Sequence, residues 1–144
     1  MPIGRAGIWH EVSRCVRRNR LLEPAGRREW IAQRFAAWFG VLSLDLLGYA
    51  IMGNHLHVVI RTRLDRSRTW PAREVVRRML AAGSIHDGSP SWPEDRVVDR
   101  MLESPERVHE ARLQLSYPGM MLHCPQQAPC LGPATLVLVT LPAE

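Results

Sequence analysis

Hydrophobic positions in the first half of the chain follow two different periods, which predict strands on either side of one helix. The predicted elements are a strand over 8–16, a helix over 27–39, and strands over 46–52 and 55–62. Gly40 is a plausible end for the helix. Gly53-Asn54, between the last two strands, is typical of a two-residue hairpin turn, because both residues accept positive φ. This β-hairpin is the firmest structural feature of the sequence.

The second half predicts mostly helices and loops. We expect a basic loop over 64–70, a helix from Pro71 to Gly83, a loop over 84–93, a short helix near 97–102, and a helix capped by Ser104 and reaching about Leu115. Four prolines between positions 118 and 133 exclude a long helix there. Residues 135–141 are β-prone but have no evident partner strand.

Length and composition narrow the class of protein. The chain has 144 residues, 46% of them hydrophobic, which fits one compact domain. We find no apolar run near the roughly 18 residues of a membrane span, and no signal-peptide pattern. A cytoplasmic protein without a membrane partner is therefore expected. An odd number of cysteines, three, favours free thiols.

The positive charge of the chain comes entirely from arginine. All 19 basic residues are Arg, the formal net charge is +5 and the pI is near 10.0. The bias could reflect GC-rich codons, and a solvated surface is the plain alternative to a binding role. Clustered guanidinium groups nevertheless suit phosphate. The candidate residues for binding a polyanion, such as DNA, are Arg14, Arg17, Arg18, Arg61 and Arg63.

His55-Leu56-His57 is the candidate metal-binding motif. Side chains alternate across a strand, so both imidazoles leave one face of the sheet while Leu56 points to the other. Two imidazoles two residues apart can chelate one ion. The spacing alone is a weak signal, because ordinary surface histidines are commoner than ligands.

The surrounding residues carry a resemblance to a known family. The stretch 48–60 resembles the hairpin of single-tyrosine HUH transposases, named for His, a hydrophobic residue and His, and most closely the REP-associated tyrosine transposases. Residues 9–18 and the helix 27–39 look like the opening strand and first helix of that branch. The likeness covers about residues 5–82.

The resemblance implies a fold and a reaction. The fold would be α+β, an antiparallel sheet with helices on one face, similar to the ferredoxin-like HUH domain, over residues 1–117, followed by a Pro-rich tail, 118–144. His55 and His57 would bind Mg²⁺ or Mn²⁺, which activates a phosphodiester of single-stranded or hairpin DNA. A tyrosine would attack, leaving a 5′-phosphotyrosine and a free 3′-hydroxyl, in a monomer or a homodimer.

Tyr117 is the expected nucleophile, because Tyr49 lies inside a hairpin strand and is predicted to be a packing residue. The sequence departs from the family here. The family's tyrosine lies within a helix, with a polar metal ligand one turn later, whereas Pro118-Gly119 follows Tyr117 and Met121 stands one turn later. The residues leave both a catalytic and a structural role open for Tyr117.

Several alternatives remain at this level. His123, Gln126 and Gln127 are possible third ligands, and His10 is predicted to be a surface or DNA-contacting residue. A degenerate relative could hold DNA hairpins without cutting them. An RNA-binding sheet would need exposed aromatic residues on its central strands. A hydrolase that uses water would need a carboxylate base, for which Glu11 is the candidate.

Overall fold

Four strands and five helices make up the part of the chain that the computed structural model describes, which is residues 6–15, 20–85, 89–117 and the backbone of 137–140. They are β1 (Ile8–Arg14), α1 (Ala25–Val41), β2 (Leu44–Ile51), β3 (His55–Thr62), α2 (Leu64–Thr69), α3 (Ala72–Gly83), α4 (Asp95–Leu102), α5 (Pro105–Gln114) and β4 (Val137–Thr140). None of the helices among these residues is long and apolar enough to cross a membrane.

The strands form one antiparallel sheet in the order β2-β3-β1-β4. β2 and β3 are the predicted hairpin, and β1 pairs with the other edge of β3, from Ile8 opposite Arg61 to Arg14 opposite His55. The predicted α+β class with an antiparallel sheet is therefore confirmed. β1 and β3 are the central strands, so the residues along this ladder lie in the middle of the sheet.

The two faces of the sheet differ in character. The core includes the alternate side chains Leu56, Val58 and Ile60 of β3 together with Ile31, Phe35 and Trp38 of α1 and Val75 of α3. Burying these side chains on one face is the main stabilising term of the fold. The remaining positions of β1 and β3 lie on the opposite face, where their side chains are half-buried or exposed. We call this second surface the open face.

Most predicted elements are observed, with small shifts at their ends. β3 has the predicted bounds, and Ser104 caps α5, its Oγ accepting a hydrogen bond from the Arg107 backbone N–H at 3.4 Å. The first helix runs past Gly40 to Val41, so Gly40 does not end it. Local signals such as caps and periodicity therefore located the elements well.

The predicted loop over 64–70 is wrong, because residues Leu64–Thr69 form the helix α2. A tertiary contact accompanies the change. Asp45 of β2 accepts hydrogen bonds from Arg63 at 3.0 Å and from Arg66 at 2.9 Å. These two ion pairs hold the first turn of α2 against the sheet, and no pattern of neighbouring residues encodes them.

The hairpin turn forms at Gly53-Asn54 as predicted, but Gly53 does not need the left-handed conformation. A Cβ atom at Gly53 would lie 3.3 Å from Nε of Arg20, an exposed side chain that can move away. The segment after β1 also binds the turn. Cys15 N–H donates to the Asn54 carbonyl at 2.8 Å, and Leu22 N–H donates to the Gly53 carbonyl at 2.9 Å.

The sequence shows no evident partner for the β-prone residues 135–141, but the structure has one. Val137–Thr140 form β4, which pairs antiparallel with β1 from Trp9 opposite Thr140 to Val12 opposite Val137. The pairing joins residues more than 120 positions apart, so it cannot be read from local sequence. The remainder of the Pro-rich tail, including the possible third ligands at 123, 126 and 127, lies outside the described residues.

Candidate functional site

Three histidines cluster on the open face of the central strands. His55 and His57 alternate with the buried residues of β3, so both rings leave the same face, with ring centroids 5.0 Å apart. Val12 stands opposite His57 on β1, and His10, two residues before it, belongs to the same face. The His10 ring stacks on His57 with centroids 5.1 Å apart.

Each histidine of the pair has one ring nitrogen in a hydrogen bond. Nδ1 of His55 lies 2.7 Å from Oδ1 of Asn54, and Nδ1 of His57 lies 2.9 Å from Nε2 of His10. Burial lowers the pKa of His57, and the positive charges of His55, His10 and Arg14 lower it further. The neutral imidazole, which is the form that binds metal ions, is therefore favoured at His57.

The separation of the two rings is in the range for two imidazoles on one ion. With metal–nitrogen bonds of about 2.1 Å, two imidazoles on one ion have ring centroids roughly 4.5–5 Å apart, and the observed separation is 5.0 Å. Across residues 6–15, 20–85 and 89–117, no group of three or more His, Cys, Asp or Glu side chains is arranged to hold an ion. Two protein ligands leave positions for water or phosphate oxygens, as Mg²⁺ sites usually do.

Two of the predicted DNA-binding arginines lie on the open face. Arg14 stands opposite His55 in the β1–β3 ladder, and Arg61 stands opposite Ile8 at the other end of it. Both are exposed. The histidine pair therefore shares one surface with two exposed cations, Arg14 beside His55 and Arg61 four residues beyond His57, where Asp45 of β2 stands opposite Arg61.

The other predicted arginines are placed differently. Arg63 donates hydrogen bonds to Asp45 at 3.0 Å and to Asp65 at 2.7 Å, so two carboxylates already neutralise its charge. The structure therefore gives Arg63 a role in holding α2. Arg17 and Arg18 lie outside the described residues.

Tyr117 is held at the far end of the sheet from the histidines. The carbonyl of Leu115, two residues earlier, accepts a hydrogen bond from Ser43 N–H at 2.8 Å. Ser43 directly precedes β2, whose first residue pairs with Thr62. Thr62 lies five residues beyond His57 on β3 (62 − 57), about 17 Å along the strand. The structure thus does not bring Tyr117 together with the pair.

Tyr49 packs against the helix layer. It stands opposite Val58, a buried residue of β3, and its ring meets Phe35 of α1 edge-on at 5.6 Å between centroids. It is 49% exposed at the edge of the sheet. This contact agrees with the predicted packing role and places Tyr49 on the face opposite to the histidine pair.

Glu11 lies on the wrong face to act as a base beside the histidines. It alternates with His10 on β1 and is 1% exposed on the helix side of the sheet. Among the described residues, neither of its carboxylate oxygens has a hydrogen-bond partner. Burial raises the pKa of Glu11 to about 7. The proposed role of Glu11 in a water-using hydrolase therefore has no geometric support.

Sequence reasoning missed the contact between His10 and His57. The two residues are 47 positions apart, and their meeting depends on the register of β1 on β3. The alternation within each strand shows which residues share a face, but a shift of one residue in the pairing would turn His10 to the core.

Comparison with known proteins found no matching family model, no matching curated protein and no matching solved structure.

Proposed function

We propose that this protein cleaves and joins single-stranded DNA with the help of a divalent metal ion, as a transposase or REP-element processing protein. One observation carries the proposal: His55 and His57 leave the same open face of the sheet, with ring centroids 5.0 Å apart. Arg14 and Arg61, exposed on that face, support a phosphate-bearing partner.

The strand order supports the proposal independently of the histidines. The chain runs β1, α1, β2, β3, then helices, then β4, and the sheet order is β2-β3-β1-β4. This is the arrangement of a ferredoxin-like split βαβ fold, the fold that the HUH resemblance implies. A fold supports many functions, so the site carries the functional argument.

In the proposed reaction, His55 and His57 would hold the ion, and the exposed Arg14 and Arg61 would bind phosphates of the same DNA strand. Bound Mg²⁺ or Mn²⁺ would supply charge neutralisation and polarise the scissile phosphate. The phenol oxygen of Tyr117, once brought to the open face, would attack phosphorus and pass its proton to water. The bond from phosphorus to the 3′-oxygen breaks, and that oxygen takes up a proton. The phosphotyrosine conserves the bond energy, so rejoining needs no ATP.

A second candidate function is DNA binding without cleavage. The anchor of Leu115 on Ser43 favours it, because Tyr117 follows at the end of the sheet remote from the histidine pair. Cleavage by Tyr117 requires that its hydroxyl reach a phosphate on the open face, since small misplacements cost large factors in rate. The two candidates share the same metal and DNA surface.

A covalent-adduct assay separates the two candidates. Hairpin DNA with a single-stranded flank, labelled at its 3′ end, is incubated with Mn²⁺ and the full chain, and the products are run on a denaturing gel. For cleavage, we expect a labelled protein band with the wild type and with the control His109→Ala, which changes an exposed histidine of α5. The band should be lost in Tyr117→Phe and in His55→Ala/His57→Ala.

Two other results would change the conclusion. An adduct that persists in Tyr117→Phe contradicts the assignment of the nucleophile. Metal-dependent DNA retention without an adduct in any of the proteins supports the binding-only function.

A further inference from the structure

We propose that Asn54 and His10 are positioning residues that fix His55 and His57 as their Nδ1–H tautomers, leaving both Nε2 lone pairs for one metal ion. The inference rests on the proposed function, which sets the direction of the His57–His10 hydrogen bond, and on the geometry of two hydrogen bonds. These are the contacts from Nδ1 of His55 to Oδ1 of Asn54 at 2.7 Å and from Nδ1 of His57 to Nε2 of His10 at 2.9 Å.

The first hydrogen bond determines the tautomer of His55. Oδ1 of Asn54 is an amide oxygen and can only accept a hydrogen bond, so Nδ1 of His55 must carry the proton. A neutral imidazole holds one proton, and the lone pair of His55 is therefore on Nε2. Metal-bound histidines commonly donate their second N–H to an oxygen in this way, which orients the ring and raises its basicity.

The backbone holds Asn54 in place for this role. Its carbonyl accepts the Cys15 N–H at 2.8 Å, and the neighbouring Gly53 carbonyl accepts the Leu22 N–H at 2.9 Å. One donor directly follows β1 and the other lies shortly before α1, so two backbone hydrogen bonds hold the hairpin turn from outside the hairpin. A side chain on a clamped turn loses little further entropy when it orients His55.

For the second hydrogen bond, the proposal assigns Nδ1 of His57 as the donor and Nε2 of His10 as the acceptor, since the contact itself allows either direction. Of the two nitrogens in the contact, one donates and the other accepts. A metal on Nε2 of His57 requires that Nδ1 carry the proton and donate it to Nε2 of His10. The lone pair of His10 is then used in this bond, so His10 acts through His57 and is not itself a ligand.

The tautomers can be measured directly in the metal-free full chain. Long-range ¹H–¹⁵N spectra of the labelled protein distinguish protonated from unprotonated ring nitrogens, and single-histidine variants assign the signals. We expect protonated Nδ1 and unprotonated Nε2 at His55 and His57. A protonated Nε2 in either ring overturns the proposal for that ring.

Matched variants test whether the two positioning residues act through the histidines. Two variants, Asn54→Gly and His10→Leu, remove the hydrogen-bond acceptor for the Nδ1–H group. Their matched controls, Asn54→Asp and His10→Gln, each keep an acceptor at that position. In the variants without an acceptor, we expect a mixture of the two imidazole tautomers. Mn²⁺ binding, measured by calorimetry, should be about 10–100-fold weaker than in the wild type. The control variants should keep the Nδ1–H signal and bind Mn²⁺ within a few-fold of the wild-type affinity.

The outcomes separate this inference from the proposed function. If the wild type binds no Mn²⁺ but both histidines are Nδ1–H tautomers, the metal-dependent function is refuted, whereas the two hydrogen bonds are supported. If the wild type binds Mn²⁺ and the acceptor-free variants bind it equally well, the positioning roles are wrong. A metal-induced ¹⁵N shift at Nε2 of His10 would make His10 a ligand and overturn its assignment.

Discussion

Arg14 stands directly opposite His55 in the antiparallel ladder between β1 and β3, and its side chain is exposed on the same face as the two histidines. The guanidinium group therefore lies next to the proposed metal site on a neighbouring strand. A phosphodiester bound at the ion would have a second phosphate within reach of this charge. Arg61 lies on the same face at the other end of the ladder, opposite Ile8 of β1 and Asp45 of β2.

The first prediction concerns these two arginines and the salt dependence of DNA binding. Arg14→Gln and Arg61→Gln should each weaken single-stranded DNA binding and lower the log–log salt slope by roughly 0.7, because each removes one phosphate contact. Fluorescence anisotropy at several salt concentrations measures the slope. Arg100→Gln, an exposed change on α4 in the helix layer, is the matched control. Equal salt slopes in all four proteins would contradict the proposal that DNA binds to the open face.

The second prediction is the loss of metal binding when the histidine pair is removed. Calorimetry with Mn²⁺ should show one site in the wild type and none in His55→Ala/His57→Ala, because two nitrogen ligands are lost together. His109→Ala removes a single exposed histidine of α5 and should leave the site intact. A site that survives in the double variant would place the ion elsewhere.

The third prediction concerns Glu11 and the pH dependence of stability. Burial raises the pKa of Glu11 from 4.5 to about 7, so the folded state binds more protons than the unfolded state between these values. Folding stability should therefore fall as pH rises through this window, at a cost of about 3 kcal/mol once both states are ionised.

Glu11→Gln isolates this effect from other titrating groups. In metal-free urea titrations, the free energy of unfolding of the variant minus that of the wild type should be about 3 kcal/mol larger at pH 8 than at pH 4, because only the wild type loses stability over this range. The buried amide of the Gln side chain has its own cost to stability, but that cost is the same at both pH values and cancels in the comparison. Parallel pH profiles for the two proteins would show that the Glu11 carboxyl has a partner or solvent access.

The fourth prediction is that β4 stabilises the sheet. A chain truncated after Tyr117 loses the four residue pairs between β4 and β1 and leaves an open edge on β1. We expect a loss of roughly 2–4 kcal/mol in the free energy of unfolding, from about 1 kcal/mol per ladder hydrogen bond. Truncation after Thr140 keeps β4 and is the control. An unchanged urea midpoint in the shorter chain would mean that β4 contributes nothing to stability.

Much of the local structure was predictable because its causes are local. The alternation from His55 to Thr62 defined β3 and placed both histidines on one face. Ser104 and Pro105 marked the start of α5 through a cap that involves only neighbouring residues. In both cases the stabilising contacts lie within one turn or one strand, so a short window of sequence contains them.

The candidate site was only half visible in the sequence. The motif identified His55 and His57, but the partner of His57 is His10, which is 47 positions away. Arg63 looked like a DNA-binding residue, yet Asp45, across the hairpin, accepts its hydrogen bond. Charge and residue type show what a side chain can do, and the pairing of distant segments decides what it meets.

The sequence by itself determined the β2–β3 hairpin and the shared face of its two histidines, because alternation and turn chemistry act over a few residues. The α+β class was expected from the family resemblance. Only the tertiary structure decided the register of β1 on β3, the addition of β4 to β1 and the burial of Glu11. The physical reason is that strand register depends on how whole faces pack, and a slip of one residue exchanges every inward side chain for an outward one.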